Sequence, residues 1–86
     1  MLRVWIEYRR QRREREAEVL ILMALRLMPA GVELRSSQLS SRAGLCSSRF
    51  YPAAARLELA ELLTSRFSET DPYPRPRLYR LTARGW

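Results

Sequence analysis

Histidine and lysine are both missing from this 86-residue chain, and cysteine occurs once. Without histidine there is no imidazole base, no Ser-His-Asp relay and no histidine metal ligand. The single Cys46 excludes an internal disulfide framework and any zinc site built on several thiolates. Long apolar runs are lacking too. The longest, Val19 to Leu25, falls far short of the roughly 20 residues that a membrane span needs. Basic residues lie near the N-terminus, but no apolar segment with a small-residue cleavage site follows, so no secretory leader is expected. These absences point away from an enzyme, from a metal or cofactor, and from a membrane partner.

What the chain does have is positive charge. All sixteen of its basic residues are arginine, against nine acidic ones, giving a net charge of +7. A small domain this basic suits a polyanion, and each guanidinium is a planar fork able to grip a phosphate or a guanine edge with two hydrogen bonds. The 47% hydrophobic content, with two Trp, four Tyr and two Phe, is that of a folded protein rather than a solvated tail. The length allows one domain with a modest core, for which pairing with a second copy would add stability.

Residues 1–16 read as a basic N-terminal helical extension and residues 17–86 as the main domain. Leu2, Val4, Ile6 and Tyr8 alternate with more polar neighbours as a strand would. The run from Arg9 to Glu16, however, lacks Gly and Pro. Its Arg10–Glu14 and Arg12–Glu16 spacings each offer about 0.2–0.5 kcal/mol to an exposed helix. A helix continuing into the next segment is therefore preferred. Ala17, Leu20, Ile21, Ala24 and Met28 form one stripe at helical spacing, ended by Pro29-Ala30-Gly31. The other face holds Val19, Leu22 and Met23 with only Arg26 charged, so it needs cover from the N-terminal segment or a partner subunit.

Val32 to Arg35 reads as a short extended piece. Ser36 or Ser37 can cap a second helix running to about Ala43. Gly44 supplies a turn, Leu45 points inward, and a third helix starts near Ser47 with Phe50, Ala53, Ala54 and Leu57 facing the core. Pro52 lies close enough to that start to be tolerated. A strand over Leu63–Ser68, a proline-stiffened loop over 69–76 and a second strand over Arg77–Leu81 follow, with Thr82 able to cap a last turn. The expected class is mainly α with a small β part: three helices, two strands joined by the proline loop, and an extra N-terminal helix.

Gln38 to Tyr51, with its inward Leu39, Gly44 turn and polar Ser47-Ser48, looks like the helix-turn-helix of bacterial regulators. Phe50-Tyr51-Pro52 with Ala53 to Glu58, then Leu62 to Arg66, then Arg75 to Gly85, is similar to the PadR-like winged-helix regulators. In that family a Tyr-Pro sits early in the recognition helix, and the second wing strand reads Arg-x-Tyr-x-Leu-Thr-x-x-Gly. The resemblance covers about residues 17–85. It implies a winged helix-turn-helix fold with a three-helix core and a two-stranded antiparallel wing, a DNA-binding transcriptional regulator and usually a dimer. Two departures stand out. Glu61 occupies the place of a glycine that closes the recognition helix, so closure without that left-handed glycine is expected. The family normally dimerises through a helix after the wing, whereas this sequence stops at Trp86. Either dimerisation moves to the N-terminal helix or the protein acts as a monomer. The family's phenolic-acid and drug-sensing roles are not carried over, and no small-molecule effector is expected.

The family's geometry puts the third helix in the major groove. Ser47, Ser48 and Arg49 are then candidates for base or phosphate contact, with Tyr51 and Arg56 beside them. Arg49 is the preferred guanine contact, worth about 1–3 kcal/mol of discrimination. Ser37, Gln38 and Arg42 on the second helix would lie near the DNA backbone, and Arg75 and Arg77 in the wing near phosphates or the minor groove. The alternatives stay open. Arg49, Arg56 and the Arg9–Arg15 cluster suit a solvated helix face, that cluster also a phosphate-gripping arm or part of a dimer helix. Tyr51 suits packing, Ser47 a helix cap, and the wing arginines protection of an edge strand. A sequence-specific repressor in the cytoplasm, bacterial or phage-encoded and nucleoid-associated, is the leading expectation. An architectural DNA-bending factor and a protein-interaction module that inhibits a host protein are its rivals.

Overall fold

The computed structural model describes residues 2–86. Its first element, α1 (Leu2–Arg26), is a single 25-residue helix. The basic extension runs on into the next segment, as preferred from the sequence, and so forms the N-terminal half of the first core helix rather than an extra one. The alternation over residues 2–8 does not produce a strand, since no second strand is beside it. Instead Trp5 and Tyr8 stack at i,i+3, and the Arg9 guanidinium lies 5.3 Å from the Trp5 ring centre. Of the two expected ion pairs, Arg12–Glu16 forms at 3.9 Å between exposed groups.

The buried stripe of α1 is Ala17, Ile21, Ala24 and Leu25. Leu20, expected inside, is 39% exposed, and Leu25 takes the inward place. Met28 and Leu22 pack against the edge of the core. Past Arg26 the Met28 N–H bonds Leu25 O at 3.0 Å, and Gly31 turns the chain at φ 82°.

After β1 (Leu34–Arg35) comes α2 (Ser36–Ala43). Neither Ser36 nor Ser37 caps it, because both already lie inside the helix. Gln38 reaches back instead, its Oε1 accepting the Arg35 N–H at 3.0 Å. This is the second half of a capping box, supplied from the third helical position. Gly44 closes α2 in the left-handed region, with Leu45 N–H returning to Ser40 O at 2.9 Å.

Helix α3 (Ser47–Leu59) buries Phe50, Ala53, Ala54 and Leu57, the expected stripe. Phe50 meets the rings of Tyr51 and Tyr79 edge-on, at 5.2 and 5.5 Å between centres. Each such pair adds about 0.5–1.5 kcal/mol beyond the area it buries. The three alanines Ala17, Ala53 and Ala54, all nearly inaccessible, let the long α1 and α3 lie close together. At its C-terminal end α3 is closed by two bonds, Glu61 N–H to Glu58 O and Leu62 N–H to Leu57 O, both 3.0 Å. That pairing is a Schellman motif, which demands a left-handed residue. Glu61 adopts it, at φ 62°. The closure thus keeps the left-handed geometry and does without only the glycine.

The sheet is antiparallel in the order β1-β3-β2, with β2 Leu63–Phe67 and β3 Arg77–Leu81. It has three strands where two were expected, because Leu34 and Arg35 pair with Tyr79 and Leu78. Leu34, Leu63, Tyr79 and Leu81 line its buried side against the helices. Beyond β3, Thr82 caps a short 3₁₀ turn, Ala83–Gly85, through Gly85 N–H at 3.1 Å. Thr82 Oγ1 also donates to Glu61 O at 2.6 Å, and Arg26 Nε donates to Gly85 O at 3.0 Å. This corner ties the ends of α1, α3 and β3 together.

Candidate nucleic-acid interface

The left-handed turn at Gly44 that closes α2 leads into α3, and the outward side of α3 is left uncovered. Ser47, Ser48, Tyr51, Pro52, Ala55 and Leu59 are exposed along it. The face is nearly neutral, since neither arginine of α3 points that way. Arg49 is half-buried and its Nη2 donates to the Arg13 carbonyl of α1 at 3.1 Å. Arg56 is held harder: Nη2 meets the Glu14 carbonyl at 3.4 Å, and Nε lies 3.6 Å from the Glu18 carboxylate. Its Nε is buried without a hydrogen-bond partner. Arg56 is thus a strut between α3 and α1, and Arg49 sits at the groove edge rather than on the crest.

Of the second-helix candidates, Ser37 and Arg42 are exposed, and Arg42 has no acidic group within ion-pair distance among the described residues. Gln38 is exposed as well, but its amide oxygen is held by the cap. Tyr51 is 52% exposed, with its hydroxyl donating to Ser36 Oγ at 3.3 Å. It joins α3 to the start of α2 while keeping one ring edge in solvent. Ser47 is not a cap either: that position belongs to Cys46, whose thiol bonds the Ser48 hydroxyl at 3.2 Å. This contact, aided by the Arg49 amide, holds the exposed Cys46 thiol below its ordinary pKa.

The wing is braced from both sides. Arg66 grips Glu33 through two bonds of 2.9 and 2.8 Å, which lowers the Glu33 carboxyl below the usual range. At the tip the Ser68 hydroxyl bonds Asp71, and Asp71 in turn binds Arg35 at 2.8 Å. The wing tip is therefore fastened to the start of α2. Arg77 turns inward along the strands, 4.6 Å over the Phe67 ring and 2.9 Å from Ser65 Oγ. Arg75 is exposed on the same loop as Tyr73, which is 92% exposed.

One set of residues was left open by sequence reasoning, which weighed the Arg9–Arg15 cluster as a solvated helix face, a phosphate-gripping arm or part of a dimer helix. Arg10 and Arg13 of α1 share a shallow groove with Ser48, Arg49, Pro52 and Arg56 of α3. The signal was available in the spacing: Arg13 and Arg10 lie four and seven residues before the buried Ala17, on the same side of the helix.

Three packed helices, a Gly-turned α2–α3 corner and an antiparallel wing define a winged helix-turn-helix. The fold is the winged helix that the resemblance of the Tyr51-Pro52 and Arg77–Thr82 motifs implied. A PadR-like transcription factor from Bacteroides fragilis superimposes with a TM-score of 0.74 at 24% identity, over 92% of this chain and 78% of that one. The PcaV transcriptional regulator from Streptomyces coelicolor, solved with its natural ligand, superimposes with a TM-score of 0.66 at 28% identity. That match covers 79% of this chain, which spans 45% of the PcaV chain. No family model and no curated protein sequence matches the chain. Among the described residues no helix is long and apolar enough to cross a membrane, and no cluster of metal-binding side chains occurs.

Proposed function

We propose that this chain binds double-stranded DNA in a sequence-specific way and regulates transcription, acting as a repressor by occupying its operator. The observation that carries the reading is the exposed outer face of α3, formed by Ser47, Ser48, Tyr51, Pro52, Ala55 and Leu59; Arg42 on α2 and Arg75 on the wing are exposed as well. Ser47, Ser48 and Tyr51 would meet base edges in the major groove, and Arg42 and Arg75 would hold phosphates or the minor groove. Arg49, docked against α1, becomes a backbone contact rather than the guanine reader. The regulators that share the fold support the coarser part of this reading.

A homodimer through α1 belongs to the same proposal. Trp5, Tyr8, Val19 and Met23 are all exposed, and their spacing puts them on the side of α1 opposite Ala17 and Ile21. Two copies would then read half-sites about 10 bp apart or a multiple of that. No step of this reading calls for an effector.

The test is selection of bound duplexes from a random pool by the chain and by its Ser48→Ala and Arg75→Ala variants. One enriched motif is expected, with base preference relaxed at a single position in S48A. Uniform weakening or loss of flanking A·T preference is expected in R75A. Failure of the unaltered chain to retain or enrich any duplex at low salt would overturn the proposal.

A further inference from the structure

The N-terminal half of α1 carries more positive charge than its own glutamates neutralise, with Arg3, Arg9, Arg10, Arg12, Arg13 and Arg15 against Glu7, Glu14 and Glu16. Arg9–Arg12, Arg9–Arg13, Arg10–Arg13 and Arg12–Arg15 all fall at like-charge spacings of three or four residues, which disfavour a helix. Of these, among the described residues, only Arg12 finds a carboxylate, Glu16 at 3.9 Å. Two neighbouring grooves gather this charge next to α3. One joins Arg10, Arg13 and Glu14 to Ser48, Arg49, Pro52 and Arg56; the other joins Arg9, Arg12, Arg13 and Glu16 to Arg49, so each groove holds one carboxylate among three or more arginines. Arg49 belongs to both, and its bond to the Arg13 carbonyl fixes the spacing of the two helices at this point.

The position matters as much as the charge. Ser48 and Pro52 are on the open face of α3, so Arg10 and Arg13 stand at the rim of the same surface and not behind the domain. A duplex lying against α3 would bring one sugar-phosphate strand along this rim. From this we infer that Arg10 and Arg13 of α1, together with Arg49 of α3, form a clamp for the DNA backbone on the edge of α3 away from the wing. The clamp rests on the DNA-binding reading and extends it: the wing grips one flank of the site and α1 the other. It specifies no bases, because phosphates are the same at every step.

The experiment measures duplex affinity as a function of salt for the full chain and for Arg10→Ala/Arg13→Ala. Both side chains are exposed, so the variant should fold, which circular dichroism verifies. Losing two phosphate contacts should lower the slope of log K against log salt by about 1.8. Affinity would then fall about tenfold less between 50 and 200 mM salt than for the parent, at about 0.9 per phosphate. The selected motif should not change, and Arg10→Lys/Arg13→Lys should restore the slope. Arg84→Ala, which removes a charge at the opposite end of α3, should leave the slope unchanged. A parental slope in the folded double-alanine variant that still binds DNA would overturn the clamp alone. An equal drop in R84A would overturn it too, by making the effect one of net charge. A parent that binds no duplex at low salt would overturn both the clamp and the reading beneath it.

Discussion

Replacing Glu61 with glycine should make this protein more stable, although glycine usually weakens a fold. Glu61 is the left-handed residue of the Schellman closure of α3, at φ 62°. An L-residue with a Cβ is disfavoured there by about 1–2 kcal/mol, a cost glycine does not carry. Against this stands glycine's greater freedom in the unfolded chain, which offsets part of the gain. The Glu61 side chain contributes little that would be missed. Its one ion pair, to Arg84 at 3.7 Å, joins groups 80% and 71% exposed, and pairs of that kind add almost nothing. The backbone bonds to Glu58, and from Thr82 to the Glu61 carbonyl, survive the change. The expected net gain is about 1 kcal/mol, or about 4–8 °C in Tm for a domain of this size. Glu61→Ala is the necessary companion, because it deletes the same side chain and keeps the Cβ. Thermal and urea unfolding followed by circular dichroism should rank glycine above the parent, and alanine level with the parent or slightly below. If glycine and alanine behave alike, the strain argument is wrong.

Gly85→Ala should do the reverse. A Cβ there would sit 2.2 Å from the Leu62 carbonyl oxygen, which is held by the Thr82 N–H, so a loss of about 2–3 kcal/mol is expected in the same unfolding assay. Arg56→Ala should lower stability by about 1 kcal/mol while leaving the selected DNA motif intact; a changed motif with unchanged Tm would show that Arg56 reads DNA rather than bracing α1. Burial raises the Tyr79 phenol pKa, so the folded state favours the neutral ring. That contribution is complete below about pH 10, where the unfolded tyrosine is still protonated, and is lost as pH rises through the folded value. Tyr79→Phe should therefore lose less stability than the parent on alkaline titration, and equal losses would refute the assignment.

The punctuation of the fold was legible in the sequence. Pro29 and Gly31 end α1, Gly44 turns the corner, and the Phe50-Ala53-Ala54-Leu57 stripe faces the core, because each depends on local chemistry alone. What escaped was decided at a distance. A two-residue β1 has no periodicity of its own, and it exists only because β3 passes within pairing range. Leu20 and Leu25 are both compatible with a helical stripe, and the packing of α1 on α2 and α3 chose between them. Ser36 and Ser37, the first two residues of α2, offer cap hydroxyls by type alone, whereas Gln38, three residues past Arg35, carries the capping contact. For the site, a helical wheel could put Arg49 and Arg56 on a flank of α3. It could not say that α1 runs along that flank and takes up both guanidinium groups.

The continuity of α1 has a mechanical consequence. A straight 25-residue helix is about 37 Å long and stiff over that distance. It is pinned to the α3 strut at Glu14 and Glu18 and to the C-terminal corner at Arg26, so it moves with the rest of the domain. In a pair of molecules joined along α1, the crossing angle of the two rods becomes the ruler for the distance between recognition helices. A tilt of about 10° at the joint would carry the far end of each rod by about 6 Å, nearly two base-pair steps of about 3.4 Å. Operator spacing would then be gauged by a single rigid beam rather than by any contact with a base.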